Sequence, residues 1–352
     1  MADHLLPSLG TFEHMADFDT LLYAHAAARK GKRKTRAVME FQMDLAANLW
    51  QLHEELTAGA YKPGPYAHFV VREPKVRQVF APPYRDRVVQ HALCDTVLRP
   101  ALDPRLVYDN AACRQGKGTH FALDRLAGFM REHFRRHGHG GYVLRCDVRH
   151  YFASIRHDEA LGLLARVFGD ERIMVMLERI VTSYEESPGV GLPLGNQTSQ
   201  WLALVYLDSL DRLIKERLSV RYYTRYMDDA VLIHPSKEHL RRCLEQMIDH
   251  LAEIGLSLNA KTQIFPLTEG VSYLGFHSRL TPTGSVVRRV SHQTSLRMRR
   301  RVKMLTEQFA AGEVSAADVR QSIHSYVAHL DHGATFAMRQ AILSEASWSR
   351  GR

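Results

Sequence analysis

The chain lacks the devices by which several classes of protein are recognised. Its four cysteines, Cys94, Cys113, Cys146 and Cys243, lie far apart with no Cys-x-x-Cys spacing. That excludes a zinc ribbon and a disulfide framework and fits a reducing compartment. No apolar run approaches about 18–20 residues, so no transmembrane helix is expected. The opening Met1-Ala-Asp-His4 is without the basic-then-apolar layout of a signal peptide, and a cytoplasmic location is the expectation. None of the 20 histidines falls in a His-Glu-x-x-His frame. His137 and His139 instead mark a basic, Gly-rich loop. Repeats, low-complexity tracts and long Pro/Ser linkers are missing too, which points to one integrated body. Acid is in short supply: 47 Lys and Arg against 38 Asp and Glu leave a net charge of +9. A polyanionic partner follows, nucleic acid or an anionic membrane surface, the latter disfavoured by the weak amphipathicity of the basic helix after residue 288.

What is present centres on Tyr222-Tyr-Thr-Arg-Tyr-Met-Asp228-Asp229-Ala-Val-Leu-Ile233. Two β-prone runs flank adjacent carboxylates, the pattern of a tight hairpin with acid at its tip. Successive strand residues point to opposite faces, so a turn is needed to bring both acids to one place. Such a pair is commonly just a solvated turn. A second acid, Asp147, ends the strand-like Gly141-Tyr-Val-Leu-Arg-Cys-Asp147 and precedes a short helix. By itself it reads equally as a turn or cap residue.

Other stretches supply cations and loops. Arg29–Arg36 holds six Lys or Arg among eight residues, within a helical region expected over about 17–56. Residues 66–93 read as strand, turn at Glu73-Pro74, strand, helix. Gly116-Lys117-Gly118 precedes a helix and could cradle a phosphate, although the Gly-x-x-x-x-Gly-Lys-Ser/Thr frame is absent. Gly191–Gln200 is a loop before a long helix to about Leu218, whose Trp201, Leu202, Leu204 and Val205 are packing residues. Arg288–Lys303 contains seven Lys or Arg and no acid, mostly on a predicted helix that suits tracking a nucleic-acid duplex.

Tyr226-Met-Asp-Asp229, with the blocks before and after it, resembles the reverse transcriptases over about residues 66–280. The resemblance implies an α+β right-hand polymerase with fingers, a ferredoxin-like palm and a short helical thumb. Its boundaries fall at 1–140 for basic helices and fingers, 141–283 for the palm with a fingers excursion over about 156–195, and 284–352 for the thumb. Asp147, Asp228 and Asp229 are the implied catalytic triad, holding two Mg²⁺ ions (with Mn²⁺ able to substitute) together with the Val148 carbonyl. Nucleotidyl transfer needs two such ions about 3.5–4 Å apart, and Mg²⁺ takes carboxylates plus substrate phosphates. Arg72, Arg77 and Lys75 match the fingers hairpin that grips the incoming dNTP triphosphate. Phe152 matches the bulky position that excludes a ribose 2′-hydroxyl. Met227, Leu194 and Gly195 fall at the nascent pair, and Lys261 at a position linked to pyrophosphate protonation. Arg114 and Lys117 would touch the template, Tyr273-Leu274-Gly275 would grip the primer, and Arg297, Arg300 and Arg301 would follow the duplex.

One block departs from most of the family. Gln-Gly-x-x-x-Ser-Pro is replaced by Leu194-Gly195-Asn-Gln-Thr-Ser199-Gln200, which resembles the reverse transcriptases of diversity-generating retroelements. A short thumb without an RNase H-like tail is expected in that group. The implication is a bacterial enzyme, encoded by a cell or a phage, that copies a template-repeat RNA into cDNA with errors opposite adenine. A small basic accessory protein forming a pentameric ring is the implied partner. The alternatives are a retron-like or defence-associated reverse transcriptase of ordinary fidelity, an RNA-synthesising polymerase, which Phe152 disfavours, and a non-catalytic RNA-binding scaffold.

Overall fold

The computed structural model describes residues 10–72 and 76–345. The N-terminal helical region is three helices, α1 (Phe18–Ala28), α2 (Arg36–Met43) and α3 (Leu45–Thr57), rather than one. The Arg29–Arg36 run occupies the turn between α1 and α2, where Gly31 takes a φ of +73° and nearly every cation is exposed. A stretch of cations with no apolar stripe has nothing to bury, so it cannot extend a helix that is held by packing. Next come the hairpin β1 (Ala67–Val71) and β2 (Arg77–Ala81), in the register Ala67↔Ala81 to Val71↔Arg77. α4 (Tyr84–Leu93) follows and packs back on α1. α5 (Thr119–His137) begins at Gly118 and ends with Arg135, Arg136 and His137, cations suited to a helix C-terminus.

The palm is a four-stranded antiparallel sheet of β3 (Tyr142–Asp147), β4 (Tyr222–Tyr226), β5 (Asp229–His234) and β6 (Gln263–Pro266), ordered β4-β5-β3-β6. Helices separate β3 from β4, and a further helix separates β5 from β6, which is the ferredoxin-like βαββαβ arrangement expected. Among the first set is α6 (Gln197–Tyr206). The expected long helix to Leu218 is interrupted after Tyr206, continuing as Asp208–Arg212 and a π turn over Leu213–Arg217. α7 (Lys237–Glu253), between β5 and β6, buries Leu240, Cys243, Met247 and Leu251 on one face. Each large apolar side chain so buried contributes about 1.5–3 kcal/mol.

Both faces of the sheet are covered, which explains why its central strands are near-continuously apolar. Leu144, Cys146, Tyr223 and Leu232 join the larger core with the N-terminal helices, α4 and α6. Val143, Tyr222, Val231 and Ile233 face a second core with α5 and a three-stranded sheet, β7 (Val271–Tyr273), β8 (Phe276–Leu280) and β9 (Val286–Val290). The thumb is α8 (His292–Ala310), α9 (Ala316–Leu330) and α10 (Phe336–Glu345). The first two close a small core of Met298, Val302, Phe309, Val319, Ile323 and Leu330.

Candidate active site

The β4–β5 hairpin closes through two residues, Met227 and Asp228, because Tyr226 pairs with Asp229. Met227 has a φ of +55°, the left-handed region that costs a side-chain-bearing residue about 1–2 kcal/mol. Two contacts hold the turn in place. Arg225 Nη1 donates to the Met227 carbonyl at 2.6 Å, and Val148 N donates to the Asp228 carbonyl at 3.2 Å. Arg225 itself is 1% exposed and paired with the wholly buried Asp211, with Nη2 to Oδ2 at 2.6 Å and Nε to Oδ1 at 2.7 Å. The Tyr108–Ala112 stretch backs the same strand, Arg225 N donating to Asp109 O and Ala111 N to Arg225 O.

Asp147 ends β3 directly across from Asp229. Asn259 braces it, donating its amide to the Asp147 carbonyl at 2.7 Å and its Nδ2 to Oδ2 at 3.4 Å. Two carboxylates are thereby drawn together from separate elements, Asp147 from a strand end and Asp228 from the turn. Burial, followed by the neighbouring Asp147 charge, pushes the Asp228 carboxyl up to about 6. Paired carboxylates that resist ionising side by side are a site short of positive charge.

Asp229 lies across the ladder from Asp147 and is also engaged by a cation. Its side chain lies on the same sheet face as Arg145, two residues before Asp147, and accepts from Arg145 Nη2 at 3.1 Å and Nε at 3.3 Å. The diagonal cross-strand geometry makes that ion pair natural. Among the described residues no three His, Cys, Asp or Glu side chains gather as a metal cluster. Asp147 and Asp228 nevertheless fit a hard divalent cation, being oxygen donors with mutual repulsion to relieve. Such an ion would activate a hydroxyl nucleophile and neutralise departing phosphate oxygens. Val148 lies beside them with its amide already engaged on Asp228.

The nucleotide-side candidates divide between the fingers and the palm. Arg72 and Arg77 are exposed at the tip end of β1–β2, while Lys75 lies outside the described residues. The Leu194-Gly195 loop docks at the base of that hairpin, Phe80 N donating to the Leu194 carbonyl at 3.1 Å. Gly195 is at φ +138°, and a Cβ there would sit 2.6 Å from the Phe80 carbonyl oxygen. Only glycine permits this approach. Asn196 Nδ2 donates to Tyr66 Oη at 2.7 Å, and Gln197 N to Gln90 Oε1 at 3.1 Å, locking the loop to the fingers. Phe152 is half-buried in a short helix whose carbonyl accepts from Leu192 N at 2.8 Å, tying it to the same loop. Met227 is also half-buried, and Lys261 is exposed in the turn that carries Asn259.

On the nucleic-acid side, Tyr273 is buried and donates through Oη to the Asp229 carbonyl at 3.4 Å. Leu274 and Gly275 form the tight β7–β8 turn with φ of +48° and +85°, and Gly275 O accepts from Ser291 N at the start of the thumb. Arg297, Arg300 and Arg301 are exposed on α8.

Arg114 and Lys117, the expected template contacts, have partners within the chain. Arg114 is 9% exposed and spends its guanidinium on the carbonyls of Val107, Asn110 and Asp103 and on the Asp103 carboxylate. Lys117 Nζ donates to Tyr108 O at 2.6 Å and rests over the Tyr108 and Phe121 rings, and burial pushes its pKa down to about 8. Both cations fasten the 103–110 loop, a role that depends on where its carbonyls converge. Sequence reasoning passed over Arg145, Asn259 and the Arg225–Asp211 pair. The available signal was Arg225 itself, a charge inside an otherwise buried strand, which demands a buried partner.

Residues 62–278 match the family described as reverse transcriptase (RNA-dependent DNA polymerase). Over 85 residues the chain is 34% identical to Protein P of duck hepatitis B virus, strains Germany/DHBV-3 and China. That segment is 24% of this chain and 11% and 10% of those proteins, so the chain spans about a tenth of the length of the curated relatives it matches. A solved structure of telomerase from Candida albicans, complexed with a TWJ fragment of telomeric RNA, has a TM-score of 0.50 at 11% identity. It covers 73% of this chain and 55% of that one, a likeness of fold.

Proposed function

The chain belongs to the reverse transcriptase family, and we propose that it is an RNA-directed DNA polymerase of the diversity-generating retroelement type. The observation that carries the polymerase reading is the Asp147–Asp228 carboxylate pair, formed where β3 ends beside the Met227-Asp228 turn. The reacting nucleophile is the primer's 3′-hydroxyl, so no side-chain nucleophile is required. Mg²⁺, held by Asp147 and Asp228, supplies charge neutralisation at the reacting phosphate. Arg145 pairs with Asp229 and orients it beside the pair. Arg72 and Arg77, exposed on the fingers, meet the triphosphate of the dNTP and offset charge on the departing pyrophosphate. Phe152 blocks a 2′-hydroxyl, and the Tyr273–Gly275 turn with the α8 cations holds the primer–template duplex.

The diversifying part of the reading rests on Leu194-Gly195. An apolar side chain replaces the family's usual glutamine in a loop bonded to the fingers at Phe80, removing a polar contact beside the nascent pair. A looser geometric check on mispairs follows. The template is then a repeat RNA, the product a mutated cDNA, and the partner a small basic protein in a pentameric ring, acting in the bacterial cytoplasm.

Primer extension on an adenine-containing RNA with Mg²⁺ and four dNTPs, followed by sequencing, tests both parts. Extension abolished by Asp228→Ala, with errors concentrated opposite adenine and reduced by Leu194→Gln, is the expected result. Faithful extension removes the diversifier, and an adenine error rate unmoved by Leu194→Gln removes the role of that residue. No extension with RNA and partner supplied leaves an RNA-binding scaffold.

A further inference from the structure

The β7–β9 sheet is sharply two-sided. Phe276, Ser278 and Leu280 point into the second core, while the alternate residues His277 and Arg279 face outward beside Arg289 and Val287 of β9. With His139, Thr268 and Thr281 these residues line a cleft of about 510 Å³. Among the described residues no carboxylate lines it. Arg288, one residue away and facing inward, is paired with Asp124, whereas Arg279 and Arg289 form no ion pair among the described residues. His139 Nε2 lies 3.2 Å from the Pro282 carbonyl, and His277 Nδ1 lies 3.0 Å from Ser272 Oγ, so the imidazoles are positioned rather than loose.

The cleft is remote from the carboxylates. The loop carrying His139 enters β3 at Tyr142, and Asp147 ends the same strand. Five extended residues separate those ends by about 17 Å. β8 likewise runs away from the Leu274-Gly275 turn, whose neighbour Tyr273 reaches Asp229. The lining therefore sits at the rear of the palm, away from the primer terminus.

We propose that this rear cleft holds backbone phosphates of a folded RNA segment lying outside the template path. Two guanidiniums without an ion pair among the described residues, with imidazoles and threonine hydroxyls, form a polar lining, and arginine takes phosphate oxygens bidentately. A strand with one charge per nucleotide engages several of these donors at once, which a single acidic side chain does not. The proposal rests on the polymerase reading only in taking the bound polyanion to be the RNA being copied.

The test compares the full-length chain with Arg279→Ala/Arg289→Ala, and with Arg242→Ala as an exposed control on α7. Both cleft arginines are exposed, so their removal leaves the cores intact. Binding of a long structured RNA and extension of a short pre-annealed RNA–primer duplex are measured, with inorganic tripolyphosphate as competitor. The expected result is about tenfold weaker binding of the long RNA, a salt dependence shallower by about one to two log units per log of salt, and unchanged extension of the short duplex. Unaltered long-RNA affinity overturns the proposal. Equal loss on the short duplex also overturns it, placing the cleft on the template path. A wild-type site that takes tripolyphosphate, with long-RNA binding equal in both chains, assigns the cleft to free polyphosphate instead. If the wild type fails to extend the short duplex, the polymerase reading fails while the RNA-binding comparison still scores the cleft.

Discussion

Arg225 offers the sharpest perturbation, because one buried guanidinium serves both stability and the catalytic turn. Arg225→Met leaves Asp211, with no exposed side-chain surface, as a buried charge whose guanidinium partner is gone. Breaking a buried pair this way costs about 3–5 kcal/mol. The same substitution removes the 2.6 Å bond to the Met227 carbonyl and frees a turn already held at a left-handed φ. Arg225→Met/Asp211→Asn separates the two effects. It neutralises the orphaned carboxylate and leaves an amide oxygen to accept from Tyr223 Oη, which donates to Asp211 in the native chain. Thermal melts and single-turnover extension at saturating dNTP read the outcome. The single variant is expected to lose several degrees of Tm, and the double variant to regain most of them. The extension rate constant should remain depressed in both by about 10–100-fold, the usual consequence of displacing a reacting group by about an ångström. Recovery of rate together with stability in the double variant would show that the Met227 bond has no bearing on catalysis.

Other expectations follow from the same geometry. Gly195→Ala forces a Cβ against the Phe80 carbonyl from a backbone region alanine rarely adopts, so it should raise the KM for dNTP and destabilise the fingers by at least about 1–2 kcal/mol; steady-state kinetics and melts unchanged from wild type would refute this. Phe152→Ala should narrow the preference for dNTP over rNTP by about tenfold or more in kcat/KM, and an unaltered ratio would remove that residue from sugar selection. His25, His133 and His234 are each held below their ordinary 6.5, chiefly by burial. The unfolded chain therefore takes up protons that the native state refuses, and stability should fall as pH drops below about 6.5 and be fully present above it. Melts at matched ionic strength between pH 7.5 and 5 check this, and a Tm flat or rising toward pH 5 contradicts it.

Much of the architecture was legible in local pattern. The alternation and apolar runs of 142–147, 222–226 and 229–234 define strands, the adjacent acids define their turn, and the spacing of Leu240, Met247 and Leu251 defines a helix face. These depend on near neighbours, and sequence reports near neighbours well. The basic run at 29–36 was misplaced on a helix because charge density says nothing of where packing ends.

What the amino-acid order determined by itself is the inventory: acids at Asp147, Asp228 and Asp229, the Leu194-Gly195 block, the cations and their excess. Tertiary structure decided which members of that inventory are free to act. Register across β3 and β5 sets Asp147 opposite Asp229 and Arg145 diagonally on it, while the turn brings Asp228 beside Asp147. Convergence of the 103–110 carbonyls gives Arg114 and Lys117 partners within the fold, while strand alternation on β8 and β9 leaves Arg279 and Arg289 without an ion pair among the described residues. A side chain's availability is a property of its partners, and those partners are brought by folding from positions that can lie more than a hundred residues away.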